Sequence, residues 1–224
     1  MIEELPIYIF ILFGLTVVAS IWAFYLATKS KFFLILAIVW TLLQSILGFI
    51  GLYQDTEFLP PKIMLFGVFP TLVSILVIFL TEKGKLFIDN INLKYLTFFH
   101  TIRIPVEVVL FLLYYQGLVS ENMTFEGTNF DLLSGITAPL IAFFAFKKTE
   151  IKNKLLLGWN VLCLVLLLNV VITAIFSIPS PFQKLSFDQP NIAVLYFPFN
   201  LLPTVIVPIV FFAHLAAIRL LIKI

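Results

Sequence analysis

Long apolar runs alternate with short polar breaks along the whole chain. Each run reaches or approaches the roughly 20 residues that a helix needs to cross the hydrocarbon core of a bilayer. The pattern predicts one all-α integral membrane domain over residues 1–224, folded as a bundle of seven transmembrane helices. The predicted spans are residues 5–27, 32–53, 62–81, 93–117, 130–147, 154–178 and 193–221.

The composition supports a membrane-embedded chain. Hydrophobic residues make up 62% and charged residues 12% of the 224 positions, whereas soluble domains are about 45–50% apolar and about 25% charged. The bilayer is therefore the expected partner, and the small net charge of +2 gives no sign of a nucleic-acid partner. Cys163 is the single cysteine, so no Cys/His cluster indicates a metal site. No standard hydrolase or nucleotide-binding motif occurs.

The lysines and arginines in the breaks predict the orientation. Eleven of them lie after the odd-numbered runs and at the C-terminus, and two, Lys62 and Lys184, lie on the opposite side. Because cytoplasmic loops carry the excess of positive charge, we expect the N-terminus outside and the C-terminus in the cytoplasm. The expected location is a membrane that the chain crosses several times.

Two pairs of similar segments suggest an internal repeat. The second run has "WTLLQSIL" from Trp40 and the sixth has "WNVLCLVL" from Trp159. The third has "PTLVSILVIF" from Pro70 and the seventh has "PTVIVPIVFF" from Pro203. Spans one to three and five to seven could be parallel repeats joined by span four, as in some small transporters. Chance similarity between apolar segments is the alternative.

The fourth run carries ionisable groups that are costly inside a bilayer. At 100° per residue, a helix places His100, Arg103, Glu107 and Tyr114 within a stripe of about 60°, with Pro105 on another side. Such residues almost always face the bundle interior, so the stripe should point inward. The four-residue spacing of Arg103 and Glu107 predicts that they pair with each other.

The seventh run has a polar stripe of its own. Asn200, Thr204 and His214 fall on one helical face, and His214 should lie at about the depth of His100. Two histidines that meet could bind haem or relay protons, or each could be a hydrogen-bonded packing residue. The sequence assigns no cofactor. Asn160, Ser134 and other polar side chains of these runs could complete a polar interior.

Acidic and amide side chains follow the outer end of the fourth run. Glu126, Asn129 and Asp131 could join Glu107 and Tyr114 at an outer mouth, where a hard cation or an amine would find oxygen ligands. A solvated loop that caps the fifth helix is the alternative.

Three motifs carry a resemblance to a known group of proteins. They are "RIPVE" (Arg103–Glu107), "MTFEGTNFD" (Met123–Asp131) and "GITAP" (Gly135–Pro139). The chain resembles a family of small seven-span bacterial membrane proteins of the Bacteroidetes type, which implies an inner-membrane location and no particular activity. "PVE" is also similar to the Pro-x-Glu-Glu motif of lycopene cyclase membrane domains, but Val108 replaces the second acid.

Three functions fit these features. The leading hypothesis is a binder or transporter of a small solute, ion or proton, with Glu107 as the proton or cation carrier and Arg103 as its partner or as an anion clamp. The second is an intramembrane enzyme acting on a lipid or isoprenoid, which needs a lateral opening beside Glu107. The third is a structural or assembly subunit, whose polar stripe would face outward in the monomer. The sequence does not predict an oligomeric state.

Overall fold

The computed structural model describes residue 2, residues 5–146 and residues 153–223. The regular secondary structure in these ranges is helical, with no strand in them. The predicted end of the fifth span at Lys147 and most of the polar break after it, residues 147–152, lie outside the described residues. The α-helices are α1 (Ile7–Thr28), α2 (Lys31–Phe49), α3 (Phe69–Leu80), α4 (Glu82–Asp89), α5 (Leu93–Phe99), α6 (Arg103–Tyr115), α7 (Asp131–Ala145), α8 (Asn153–Ser177) and α9 (Val207–Lys223).

Short segments of other helix types connect or extend the α-helices. The 3₁₀ turn His100–Ile102 joins α5 to α6, and π-helical segments at Met64–Val68 and Leu202–Ile206 lead directly into α3 and α9. Further 3₁₀ turns occur in the connections, at Leu52–Gln54, Glu121–Met123 and Ala193–Leu195.

The helices confirm a membrane-type bundle, although not the full count of seven spans. Among the described residues, five helices are long and apolar enough to cross a bilayer: α1, α2, α5 continued by α6, α8, and Leu202–Lys223. Met64–Leu80 and α4 are bent by 87° and would make a sixth if they form one span. The helix α7 has 15 residues and is about 22 Å long, which is shorter than the roughly 30 Å hydrocarbon core.

The seventh predicted run is helical only in its later part. Residues 193–201 form a 3₁₀ turn and irregular backbone before the helix begins at Leu202. Pro198 and Pro203 lack an N–H and cannot donate to a helical hydrogen bond, which explains why apolar character alone overestimated the length of this helix.

The centre of the bundle is formed by α5–α6 and by the α9 segment. In each of these, 56% of the most apolar window is buried, compared with 33% in α1 and α8 and 11% in α2. The outward faces of the peripheral helices carry large exposed apolar side chains, such as Leu42, Ile46 and Phe49 of α2. A bilayer would cover these faces without the cost that water imposes.

Polar contacts between chain segments occur at two ends of the bundle. At one end, Asp89 of α4 pairs with Lys223 at 2.5 Å and with Arg219 at 3.6 Å. At the other end, the backbone N–H of Ile192 donates to the carbonyl of Leu118. We call these the α4 end and the loop end. The end of α9 therefore lies beside α4.

An exposed ion pair lies in the connection between α2 and the first π-helical segment. Lys62 Nζ lies 2.7 Å from a carboxylate oxygen of Asp55. The hydrogen bond from Lys62 holds the pKa of the Asp55 carboxyl below its ordinary value.

Side chains of α2 satisfy carbonyls that two prolines leave without a donor. Each π-helical segment is followed by a proline at the second position of the next helix, Pro70 in α3 and Pro208 in α9. A proline removes the donor for the carbonyl four residues earlier, here Phe66 and Thr204. Gln44 Nε2 donates to the Phe66 carbonyl at 3.1 Å, and Trp40 Nε1 donates to the Thr204 carbonyl at 2.9 Å. These two bonds anchor α2, which buries little else.

Replacing Trp40 by Phe should therefore destabilise the protein by about 1–3 kcal/mol, because the Thr204 carbonyl loses its donor in a dry environment. Adding Pro208→Ala restores a backbone N–H four residues after Thr204 and should recover part of the loss. Thermal unfolding in detergent measures both effects. Trp22→Phe is the matched control, since Trp22 is 56% exposed; an equal loss there would contradict the explanation.

Candidate functional site

A buried ion pair joins the middle of the fourth run to the beginning of α7. Arg103 Nη1 lies 2.5 Å from Asp131 Oδ1, and the two residues are 2% and 5% exposed. The prediction that Arg103 pairs with Glu107 is wrong, because the guanidinium of Arg103 forms its ion pair with the Asp131 carboxylate instead. Ser134, one turn further along α7, lies 3.4 Å from the same oxygen of Asp131.

The two histidines of the chain meet beside this ion pair. Their rings are stacked, with centroids 3.9 Å apart and planes 16° from parallel. Arg103 Nη2 lies 2.9 Å from His214 Nε2, and His214 Nδ1 lies 2.9 Å from Asn160 Oδ1. The prediction that His100 and His214 could share one depth is therefore confirmed, and Arg103 connects them to Asp131.

Glu107 is bound by an amide from the loop that precedes α7. Asn129 Nδ2 lies 2.9 Å and 2.7 Å from the two carboxyl oxygens of Glu107, and 2.8 Å from the Met123 carbonyl. The Asn129 Oδ1 accepts a hydrogen bond from the backbone N–H of Asp131 at 2.8 Å. A continuous chain of contacts therefore runs from Glu107 through Asn129, Asp131 and Arg103 to His214. We call these residues, with His100 and Asn160, the polar cluster.

The path of the chain explains how Asp131 reaches Arg103. The α7 helix begins beside Glu107, about 12 Å along α6 from its last residue, Tyr115. Residues 116–130 must therefore turn back into the bundle before α7 starts. Gly135 then lies against Ile104 and the Cβ of Arg103, where an added Cβ would come within 3.0–3.2 Å of those neighbours. This close approach of α7 to α6 keeps Asp131 within reach of the guanidinium.

The polar cluster is fully enclosed, yet some of its polar atoms have no partner. His100 and His214 are 0% exposed, and Glu107 and Asn129 are each 1% exposed. Within the described ranges, both ring nitrogens of His100 and the Nε of Arg103 make no hydrogen bond. Buried polar groups are normally satisfied, so these atoms mark a place where a proton, water or ligand could bind.

The cluster contains more acid than permanent base. Glu107 and Asp131 supply two carboxyls, while Arg103 supplies one fixed positive charge. If both carboxyls were ionised and both histidines neutral, the cluster would carry one uncompensated negative charge. Such a charge costs about 2.5–3.5 kcal/mol at the centre of a membrane helix. One bound proton brings the cluster to neutrality.

Four of the residues predicted for the site lie elsewhere. Thr204 and Asn200 belong to a second polar group around α2, in which Asn200 Nδ2 donates to the Gln44 carbonyl at 2.8 Å. Tyr114 is half-buried near the loop end. Glu126 is exposed and makes no contact with the cluster, whereas its expected companions Asn129 and Asp131 are buried in it. The proposed outer mouth is therefore not a separate site.

The stacked histidines do not fit a haem held between two imidazoles. Axial ligands bind iron through a ring nitrogen, whereas the rings of His100 and His214 face each other at 3.9 Å. In the part of the chain that the structure describes, no three His, Cys, Asp or Glu side chains are grouped around a point that could hold a metal ion.

Sequence reasoning missed the role of Asp131 more than any other. Because Asp131 stands at the edge of an apolar run, the sequence places it at an outer mouth, or as a helix cap in a solvated loop, and not beside Arg103. One signal was present: Asn129 and Asp131 lie within the "MTFEGTNFD" motif, next in the chain to the charged fourth span.

The fold and the site define a helical membrane protein with an enclosed ion-pair cluster at its centre. The chain belongs to the family described as Domain of unknown function (DUF8737), whose model matches residues 60–222. The matched part includes every residue of the polar cluster and leaves out α1 and α2. Neither a curated protein nor a solved structure matches the chain.

Proposed function

We propose that the protein transports a small solute or ion across the membrane, and that the polar cluster binds and releases a proton during each cycle. The observation that carries the proposal is the unequal charge of the enclosed cluster, with two carboxyls facing one arginine. Intramembrane ionisable residues commonly mark ion pathways and proton relays. Movement of one proton would switch this cluster between a neutral and a charged state.

A helix that begins inside the bundle supports a transport role. Many transporters bind their substrates or ions where a helix is interrupted near the middle of the membrane. Here α7 begins beside Glu107, and Asp131 in its first turn meets Arg103. The loop that contains Asn129 lies directly above the cluster, so a shift of this loop would open a path from the loop end.

The two π-helical segments support the 3+1+3 repeat. The π-helical segment at Met64 is followed by Pro70, and the one at Leu202 is followed by Pro208. Met64 lies 138 residues before Leu202, and Pro70 lies 138 residues before Pro208. The repeat would therefore align Pro70 with Pro208 and not with Pro203. In this proposal α1–α3 and α7–α9 are the two repeats, and α5–α6 is the joining span.

The proposed topology has seven crossings, with the N-terminus outside and the C-terminus in the cytoplasm of a bacterial inner membrane. The lysine and arginine bias supports this orientation. The α4 end would then be cytoplasmic, and the loop end, with its connection to Glu107, would face outside. The short helix α7 would count as a crossing because residues 116–130 enter the bundle from the loop end.

The two other functions have less support. The polar stripe of His100, Arg103 and Glu107 is buried in the monomer, which is the opposite of what docking of a membrane partner through that stripe needs. An apolar cavity does lie among α1–α4 and α9, but its lining includes no residue of the polar cluster. A lipid chain in that cavity would not reach Glu107, so an enzyme that uses Glu107 as acid or base is not favoured.

A pH-jump experiment on reconstituted protein tests the proposal. Wild-type protein on a solid-supported membrane should give a transient current when the pH changes, because protons move to and from the enclosed cluster. Glu107→Gln should abolish this current, because the amide has nearly the shape of the carboxyl but does not titrate in this range.

Glu126→Gln is the matched control, because Glu126 is an exposed carboxyl in the neighbouring loop and should leave the current unchanged. Melting curves establish that each variant is folded. A full current in folded Glu107→Gln would contradict the role of Glu107, and no current in the wild type would contradict proton binding altogether.

A further inference from the structure

The apolar cavity among α1–α4 and α9 opens between α2 and α3, and no residue of the polar cluster lines it. Its volume is about 160 Å³, and its wall is formed by α1, α2, α3, α4 and the α9 segment. The lining is mainly aromatic and aliphatic, as at Phe33, Leu36, Ile78 and Phe212. Leu36 is 48% exposed and Ser74 is also exposed, so the cavity is open to the surroundings of the bundle between these two helices.

The cavity is elongated along the helix axes. On the α9 segment the lining runs from Thr204 to Phe212, and on α2 it runs from Trp40 to Phe33. Eight helical residues correspond to about 12 Å, which is most of the roughly 15 Å that the acyl chains of one leaflet occupy. The cavity therefore has the length and direction of a lipid chain that enters from the α4 end.

Aromatic rings and lysines mark the α4 end of the cavity. Phe33 stacks on Phe87 of α4, with ring centroids 3.8 Å apart, and both rings line the cavity. Lys83 precedes Phe87 by four residues and so shares its face of α4. Lys31 begins α2 two residues before Phe33. Both lysines are exposed, and neither forms an ion pair with another of the described residues.

We propose that this cavity is a specific site for one acyl chain of an anionic phospholipid, whose headgroup binds Lys31 and Lys83. The apolar lining accepts the chain, and the two cations select the headgroup by charge. The axis of α4 turns by 87° from that of the helix before it, and Phe87, one turn after Lys83, lines the cavity. The neighbouring acid Glu82 is occupied by Lys85 at 3.4 Å.

The lipid would also explain how α2 is held along its whole length. Hydrogen bonds from Trp40 and Gln44 fix the middle of α2, whereas the part from Phe33 to Ala37 faces the cavity. A resident chain would fill the space between this part and α3. The site shares no residue with the polar cluster, so it does not depend on proton transport.

Native mass spectrometry of the detergent-purified protein tests the proposal. The probe is a set of mixed vesicles of phosphatidylglycerol and phosphatidylcholine with matched chains, from which the protein is extracted. We expect one retained phosphatidylglycerol. Lys31→Gln and Lys83→Gln should each reduce the preference for phosphatidylglycerol over phosphatidylcholine about fivefold.

Two variants test the chain site itself. Ala37→Phe and Ser74→Phe, from opposite walls, should fill the cavity and lose the lipid, while Val39→Phe on the 56% exposed outer face of α2 should keep it. Melting curves identify the folded variants. Because the two substitutions are on different helices, the test still works if one of the two variants does not fold. Retention by both folded cavity variants, equal loss in Val39→Phe, or no headgroup preference would each overturn the proposal.

Discussion

Replacing Arg103 by Gln is expected to destabilise the protein by about 3–5 kcal/mol, because Asp131 would remain as a buried charge without its cation. Arg103 is 2% exposed and holds Asp131 on one amino group and His214 on the other. The free energy of unfolding, measured by SDS titration in mixed micelles, gives the size of the loss.

A double-mutant cycle identifies which acid Arg103 serves. The double variant Arg103→Gln/Asp131→Asn removes both charges and should be markedly more stable than Arg103→Gln alone, so the coupling between the two sites is large. The same cycle with Glu107→Gln should give a smaller coupling, because Glu107 is hydrogen-bonded to Asn129. A larger coupling with Glu107 than with Asp131 would contradict the observed pairing.

Replacing Asn129 by Leu is expected to abolish the pH-jump current and to destabilise the protein. The side chain of Asn129 contacts both oxygens of Glu107 and the Met123 carbonyl, and it accepts from the backbone of Asp131. Each buried group that loses its partner costs about 1–3 kcal/mol. The loop would also lose its attachment to the cluster, so Glu107 and Asp131 would no longer be connected.

Asn122→Leu is the matched control for this change. Asn122 is in the same connection and is half-buried, and its backbone atoms, but not its side chain, take part in the described hydrogen bonds. The control should retain the current and nearly all of the stability. A current in folded Asn129→Leu that equals the wild-type current would show that the link between loop and cluster has no role.

The sequence predicted the elements well because apolar length is a strong signal. Each predicted run contains a helix, and the one-sided placement of His100, Arg103 and Glu107 correctly indicated an inward face. The meeting of His100 and His214 also followed from counting residues along two spans. These features depend on helix periodicity and depth, which a sequence specifies locally.

The partners inside the site were less predictable. The pairing rule for residues four apart describes two side chains on an isolated helix face, and at Arg103 a side chain from another helix competes. Asp131 pairs with Arg103 because residues 116–130 return into the bundle and because Gly135 lets α7 approach α6. That path is set by tertiary contacts, such as those of Asn129, which no local pattern contains.

The second polar group shows the same limit. The carbonyls of Phe66 and Thr204, four residues before Pro70 and Pro208, receive hydrogen bonds from side chains of another helix. Proline predicts that a carbonyl needs a donor. Which side chain supplies it, here Gln44 and Trp40 of α2, depends on how the helices pack.

We expect the two enclosed carboxyls, Glu107 and Asp131, to hold one exchangeable proton between them. Infrared difference spectroscopy of the reconstituted protein across a pH step tests this claim most directly, because a protonated carboxyl has a C=O stretch that a carboxylate lacks. We expect a carboxyl band that changes with pH in the wild type and in Glu126→Gln, and that disappears or shifts in Glu107→Gln and in Asp131→Asn. If folded Glu107→Gln and folded Asp131→Asn both kept the same pH-dependent carboxyl band as the wild type, the account would be contradicted.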